Sequence, residues 1–238
     1  MAIRGVIFDY GMVLSNAQEP AARQRLLEIT GLAHAVFEEH YWRYRHAYDL
    51  GELNGMTYWQ KILADTGVTL TSEQIENLVE NDVLMWATLN EEMLAWAAAL
   101  QDRGMLTAIL SNMGEEMMRY VQQEFAWLQH FTQHTYSCAL RIAKPDAAIY
   151  SYTCEKMGLA PEEALFLDDK PENVEAARSL GLHAVQFRNV PQLRMELEKQ
   201  NLLPGWPLPG DAPTPQERVK AVDSDEMGTC STISTLKP

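Results

Sequence analysis

The chain has 238 residues, 47% of them hydrophobic and 22% charged, a balance that allows a sizeable buried core and excludes a fibrous or wholly disordered protein. Nineteen Lys and Arg stand against 33 Asp and Glu, a formal charge of -14 with no basic run, so a groove tracking nucleic-acid phosphates is excluded. The same field repels anionic substrates, and a phosphorylated one needs a local cation to approach.

Three cysteines, Cys138, Cys154 and Cys230, are an odd number without CxxC spacing, which argues against a disulfide framework or zinc cluster and for a reducing cytoplasm. No apolar run approaches the roughly 18 residues of a membrane helix. The first one, residues 3–8, is cut short at Asp9, so neither secretion nor a membrane partner is expected.

That run is rich in β-branched and aromatic residues and closes on Asp9-Tyr10-Gly11, a buried strand ending in a tight loop. From residue 19 to about 100 helical patterns follow one another without a strand, and Phe37, Tyr41, Tyr44 and Tyr48 recur at helical spacing. Helix and strand then alternate: helix over 91–101, strand over 106–110, helix from about 114, strand near 134–138, helix over 146–157, strand over 164–167, helix over 172–180 and strand over 183–187. This order predicts an α/β fold with a parallel sheet covered on both faces and the helical stretch inserted after the first strand. The expected units are a sheet-bearing core of 1–14 and 101–205, a helical unit of 15–100, and a Pro/Gly-rich, disordered tail of 206–238.

Ligands of open parallel sheets bind beyond the carboxyl ends of the strands. Asp9 ends the first strand, Ser111-Asn112 the second and Asp168-Asp169 the fourth, and Lys144-Pro145 lies in a loop before a helix. Together they supply a carboxylate nucleophile, groups to hold oxyanions, a cation, and acids suited to a hard metal. Each alone has a structural explanation: Asp as a turn former, Ser-Asn and Asp168-Asp169-Lys170-Pro171 as helix caps, Lys-Pro as ordinary loop.

Jointly and in this order, FDYGMVL, LSNM, AKPDAAIY and FLDDKPENVEAARSLGL resemble the haloacid dehalogenase-like hydrolase superfamily over about residues 3–187. The resemblance implies a Rossmann-like core with 15–100 as its all-helical cap. It implies that Asp9 attacks phosphorus to form an aspartyl-phosphate, that Ser111 with Asn112 binds phosphoryl oxygens, and that Lys144 neutralises charge on both partners. It further implies Mg2+ held by Asp9, Asp168 and the backbone carbonyl of Gly11, with Asp169 beside them. Asn173, on the first turn after that acidic pair, either braces the loop or faces solvent. Chemistry agrees: a carboxylate meets a dianionic phosphate against repulsion, which a divalent cation and a lysine remove.

One departure stands out. Most phosphatases of the superfamily carry a second Asp, the proton donor, where this chain has Gly11. The haloacid dehalogenases also lack it, but have no use for a metal, so the intact Asp168-Asp169 pair favours a phosphatase of small phosphorylated metabolites such as sugar phosphates. A metal-independent dehalogenase-type hydrolase and a non-catalytic metabolite-binding member of the fold are the alternatives. In the helical stretch, Arg43, Arg45 and His46 among aromatic residues are candidate substrate contacts, and His46 a candidate proton donor. Equally, Glu39 with Arg43 and Arg45 with Asp49 have the i,i+4 spacing of a solvated helix face.

Overall fold

The computed structural model describes residues 2–212. Five parallel strands form one sheet: β1 (Gly5–Phe8), β2 (Leu106–Ser111), β3 (Gln133–Tyr136), β4 (Ala164–Asp168) and β5 (His183–Gln186), in the order β3-β2-β1-β4-β5. The helices are α1 (Pro20–Thr30), α2 (His34–Arg43), α3 (Arg45–Asp49), α4 (Gly55–Thr66), α5 (Ser72–Met85), α6 (Glu91–Gln101), α7 (Glu115–Glu124), α8 (Ser137–Leu140), α9 (Ala147–Met157), α10 (Pro171–Ser179) and α11 (Val190–Gln200). No helix among the described residues is long and apolar enough to cross a membrane.

The central strand shows why the sheet is covered on both sides. All four residues of β1 are buried, and successive side chains go to opposite faces. Val6 and Phe8, with Ile109, Leu165 and Leu167, pack against Trp96 and Leu100 of α6, Val121 of α7 and Leu193 of α11. Ile7, with Ala108, Leu110 and Phe166, packs against Ile149 and Tyr150 of α9 and Val174 and Ala177 of α10. Because β1 pairs with β2 on one side and β4 on the other, the carboxyl ends of these three neighbouring strands deliver Asp9, Ser111 and Asp168 to one edge.

Of the six helices α1 to α6 between β1 and β2, the first five bury their own cluster of Leu26, Phe37, Tyr41, Tyr48, Tyr58, Trp59, Ile62 and Leu78. Capping boxes at Asn54 and Thr71 start α4 and α5. Where the chain leaves and re-enters, a bridge pairs Ser15 with Leu89, flanked by the amide of Asn16 donating to Thr88 O (2.7 Å) and that of Asn90 to Leu14 O (2.9 Å).

Several expectations change in detail. The aromatic stripe does not lie on one helix: α2 ends at Arg43, Tyr44 (φ -105°, ψ 0°) interrupts it, and α3 restarts at Arg45. The expected strand over 134–138 is shorter, because residues 137–140 turn into α8. Helix α11 has no counterpart in the sequence reading, although Leu193 and Leu197 carry its buried face at helical spacing. The tail expected from residue 206 begins too early. Trp206 and Leu208 pack on the core, Trp96 Nε1 donates to Pro207 O (2.8 Å), and Arg194 pairs with Asp211 (2.6 Å). The rest of that expected tail, 213–238 with Cys230, lies outside the described residues, whereas Cys138 and Cys154 are buried free thiols.

Candidate active site

Asp9 follows β1 directly, and its Oδ1 accepts the amide of Tyr10 (2.7 Å) and pairs with Lys144 Nζ (2.9 Å). The same ammonium reaches Asp168 Oδ2 (2.6 Å) and Leu110 O (2.9 Å), so its three N–H groups meet three oxygens at the carboxyl edge of β1, β2 and β4. The loop carrying Lys144 is held by Asn112, whose side-chain amide makes a two-way bridge to the Lys144 backbone: Oδ1 accepts its N–H and Nδ2 donates to its carbonyl, both at 2.8 Å. Asn112 thus positions the lysine with its side-chain amide and also lines the cavity. Ser111, 2% exposed, brings its hydroxyl to the cavity wall from the end of β2.

Two adjacent acids take different places. Asp168 is fully buried and accepts from Lys144 Nζ, from the Lys170 amide (2.8 Å) and, on both oxygens, from Asn173 Nδ2 (3.0 and 3.1 Å). Its lone pairs are thus largely occupied by protein donors. Asp169 is half-buried and lines the cavity, which Asp168 does not.

Carboxylate oxygens of Asp9, Asp168 and Asp169 lie within 4.8 Å of one another, with one ammonium among them. Lys170, at the same cavity, adds a second positive charge, so three carboxyls face two ammoniums. Burial pushes Asp9 up to about 7 against the pull of Lys144, with Asp168 and Asp169 adding to the rise. Asp169 is also raised, first by burial and then by Asp168. Burial pulls Lys144 down, but Asp9 and Asp168 outweigh it and hold the ammonium above its ordinary value. A hard oxygen-only donor set with surplus negative charge fits a magnesium ion.

The cavity beyond these groups measures about 160 Å³, with Met12, Trp42, Trp86, Met113 and Met117 as its apolar wall and Arg45, Asp49 and Lys170 as its charges. Of the three candidate substrate contacts on the helical stretch, only Arg45 lines it. Its guanidinium is engaged from two sides, Nε by Asp49 (2.9 Å) and Nη1 by Asp82 (3.1 Å), and lies over the rings of Tyr41, Tyr48 and Trp86. Arg43 is exposed and pairs with Glu39 (2.6 Å) and Asp65 (3.0 Å), and His46 is exposed as well; neither lines the cavity. The interruption at Tyr44 divides these neighbours between two helices. The expected solvated pair of Arg45 and Asp49 is half-buried instead, because Asp82 of α5 joins it. Sequence reasoning missed Asp49 and Asp82 as site residues. Asp49 was visible as the i,i+4 partner of an arginine, but nothing local marks Asp82.

A family model described as haloacid dehalogenase-like hydrolase matches residues 44–181. Among curated proteins, the bifunctional epoxide hydrolase 2 of Mus musculus is 31% identical over 128 residues, 51% of this chain and 23% of that protein. The phosphoglycolate phosphatase of Pasteurella multocida is 28% identical over 134 residues, 53% of this chain and 59% of the other. An (S)-2-haloacid dehalogenase of Pseudomonas sp. is 27% identical over 92 residues, 39% and 40% of the two chains. The chain thus spans less than two thirds of each of these relatives. Among solved structures, a HAD family enzyme of Bacteroides thetaiotaomicron in complex with magnesium and inorganic phosphate superposes with a TM-score of 0.65 at 19% identity, covering 79% of this chain and 95% of that one.

Proposed function

Because the chain belongs to the haloacid dehalogenase-like hydrolases, we propose that it is a magnesium-dependent phosphatase of a small phosphorylated metabolite, such as a sugar phosphate, acting through an aspartyl-phosphate on Asp9. The observation that carries this reading is the meeting of Asp9, Asp168 and Asp169 beside the cavity, with Lys144 paired to the first two. Attack on a halogenated carbon brings no dianion to the nucleophile and needs no such acidic cluster. Attack on a phosphate monoester does, since its charge must be balanced at a carboxylate.

In this reading Asp9, Asp169 and the Gly11 carbonyl would hold the metal, and Asp168 serves as the buried acceptor that aims Lys144. Bound there, magnesium supplies the positive charge that lets phosphoryl oxygens approach the carboxylate. The Tyr10 amide and Lys144 fix Asp9 through Oδ1, leaving Oδ2 to attack. The Ser111 hydroxyl, lining the cavity, holds a phosphoryl oxygen. The helices α1 to α5 act as the cap, whose Arg45, Trp42 and Trp86 wall the space for the leaving group. The cytoplasm is the proposed setting, in keeping with the buried free thiols.

The experiment is phosphate release from a panel of phosphorylated metabolites, with and without magnesium, by the unaltered chain and Asp9→Asn. Metal-dependent release, lost in Asp9→Asn, is expected, together with a base-labile acyl-phosphate trapped on the unaltered chain. Halide release from 2-haloacids without metal, or near-normal activity of Asp9→Asn, would replace the reading.

A further inference from the structure

A phosphatase whose nucleophile is followed by Gly11 still has to protonate the oxygen that leaves, because an alkoxide is a poor leaving group. Six charged or phenolic side chains line the cavity beside Asp9: Tyr10, Arg45, Asp49, Lys144, Asp169 and Lys170. The three N–H groups of Lys144 are spent on Asp9, Asp168 and Leu110. Arg45 is held by Asp49 and Asp82 and does not give up its proton. The Tyr10 hydroxyl donates to Trp86 O (3.1 Å), and burial raises it far above the ordinary phenol range. Lys170 is exposed, and Asp169 belongs to the metal set. Asp49 is left.

Resting on the phosphatase reading, we propose that the Asp49 carboxyl is the proton donor and acceptor that Gly11 does not supply. As the Asp9 oxygen forms its bond to phosphorus and the P–O bond to the leaving group breaks, the Asp49 proton goes to the leaving oxygen. In the second half, water forms a bond to phosphorus, the bond to Asp9 breaks, and the water proton returns to Asp49.

The fold holds this carboxyl firmly. Asp49 is the last residue of α3, and its carbonyl accepts the Ser137 hydroxyl of α8 at 2.5 Å. Two residues on, Gly51 takes φ 76°, and a Cβ there would stand 2.7 Å from Cys138 O, so the turn sits directly on the backbone of α8. The Asp49 side chain is 15% exposed, and its Oδ1, 2.9 Å from Arg45 Nε, is buried without an aligned hydrogen bond. Arg45 is pinned in turn by Asp82 of α5. The charged and titratable groups around Asp49 are Arg45 on its own helix, Asp82 on α5, Tyr58 on α4, Cys138 on α8 and Lys170 after β4. Burial pushes Asp49 up to about 6, with Arg45 and Lys170 lowering it and Asp82 raising it, so both protonation states are accessible near neutrality.

The test compares kcat/KM on glycerol phosphate, a poor leaving group, with that on p-nitrophenyl phosphate, a good one, in the presence of magnesium. Asp49→Asn should lose roughly 10²–10⁴-fold on glycerol phosphate and only a few fold on p-nitrophenyl phosphate. Adding Gly11→Asp to Asp49→Asn should restore the first activity. The position accepts it, since a Cβ at Gly11 meets no atom within 4 Å and its φ of -61° suits any residue. Equal losses on both esters, or none on glycerol phosphate, would overturn the assignment while leaving the phosphatase reading intact. Absence of magnesium-dependent release from either ester by the unaltered chain would overturn both. Should Asp49→Asn fail to fold, the pH profile of the unaltered chain decides: a basic limb for glycerol phosphate that p-nitrophenyl phosphate lacks supports the role, and identical limbs end it.

Discussion

Asp168 and Asp169 are neighbours with the same chemistry and opposite surroundings. Asp168 closes β4 and is surrounded by donors from Lys144, Lys170 and Asn173, while Asp169 falls just past the strand, at the cavity. Removing one member of a buried charge pair typically costs about 3–5 kcal/mol, because the partner is left uncompensated. Asp168→Asn should therefore lower the melting temperature markedly, and Asp169→Asn should lower magnesium affinity with little effect on folding. Calorimetric titration and thermal denaturation of both variants measure the two effects. A well-folded Asp168→Asn that has lost magnesium, beside an Asp169→Asn that keeps it, would reverse these roles.

The short helix α3 is set by contacts with three other elements. Arg45 at its start is charge-paired with Asp82 of α5, whose carboxylate also accepts the Tyr41 hydroxyl of α2 (2.6 Å). The turn after its end rests on α8 through Gly51 and Ser137. Asp82→Ala should cost about 3–5 kcal/mol by leaving the Arg45 guanidinium short of charge in a half-buried box, which urea denaturation would read. A loss under 1 kcal/mol would mean that Asp49 alone suffices for Arg45. Gly51→Ala combines a left-handed backbone with a clash against Cys138 O, and a cost of roughly 1–3 kcal/mol is expected. Because that turn also seats Asp49, activity should fall along with stability. An alanine variant as active and stable as the parent would show that α3 and α8 separate freely.

Buried acids give the folded chain a pH dependence with a definite sign. Asp9, raised to about 7, and Asp49, raised to about 6, keep protons in the folded state that the unfolded chain releases near 4. Stability without metal should therefore be highest below about pH 4 as far as these two groups are concerned, and should decline as pH rises through 6 and 7. Under the proposed metal role, magnesium would bind the ionised Asp9 and should raise the melting temperature most at the upper end of that window. Melting curves from pH 5 to 8 in chelator and in excess magnesium test this, and a metal-free stability that climbs across the window would contradict it. At the other end of the fold, Trp206 lies under the Arg103 guanidinium (5.3 Å) and Pro207 O caps Trp96. A chain ended at residue 205 should be measurably less stable than one ended at 212, which retains both contacts. Equal melting temperatures would mean that the 206–211 segment contributes nothing to the core.

The alternation of strand and helix was legible because it is local: side chains repeat every two residues on a strand and about every 3.6 on a helix, whatever lies across the core. The assembly of Asp9, Ser111 and Asp168 was legible for a related reason, since strand ends of an open parallel sheet converge on one edge, whereas Lys144, in a loop before α9, was legible only through the resemblance of its motif. Helix α11 carries the same helical signal in Leu193 and Leu197. Other features had no local mark. Arg43 and His46 look equivalent to Arg45 along the chain, yet the interruption at Tyr44 and the reach of Asp82, 37 positions on, decide that only Arg45 lines the cavity. Residues 206–211 have the composition of a linker, and the hydrogen bond from Trp96 and the pairing of Arg194 with Asp211 decide otherwise. Composition and spacing report what a residue's neighbours in the chain require of it. Which of two adjacent aspartates is buried depends on donors brought from other strands and loops, and that is decided only when the sheet closes around them.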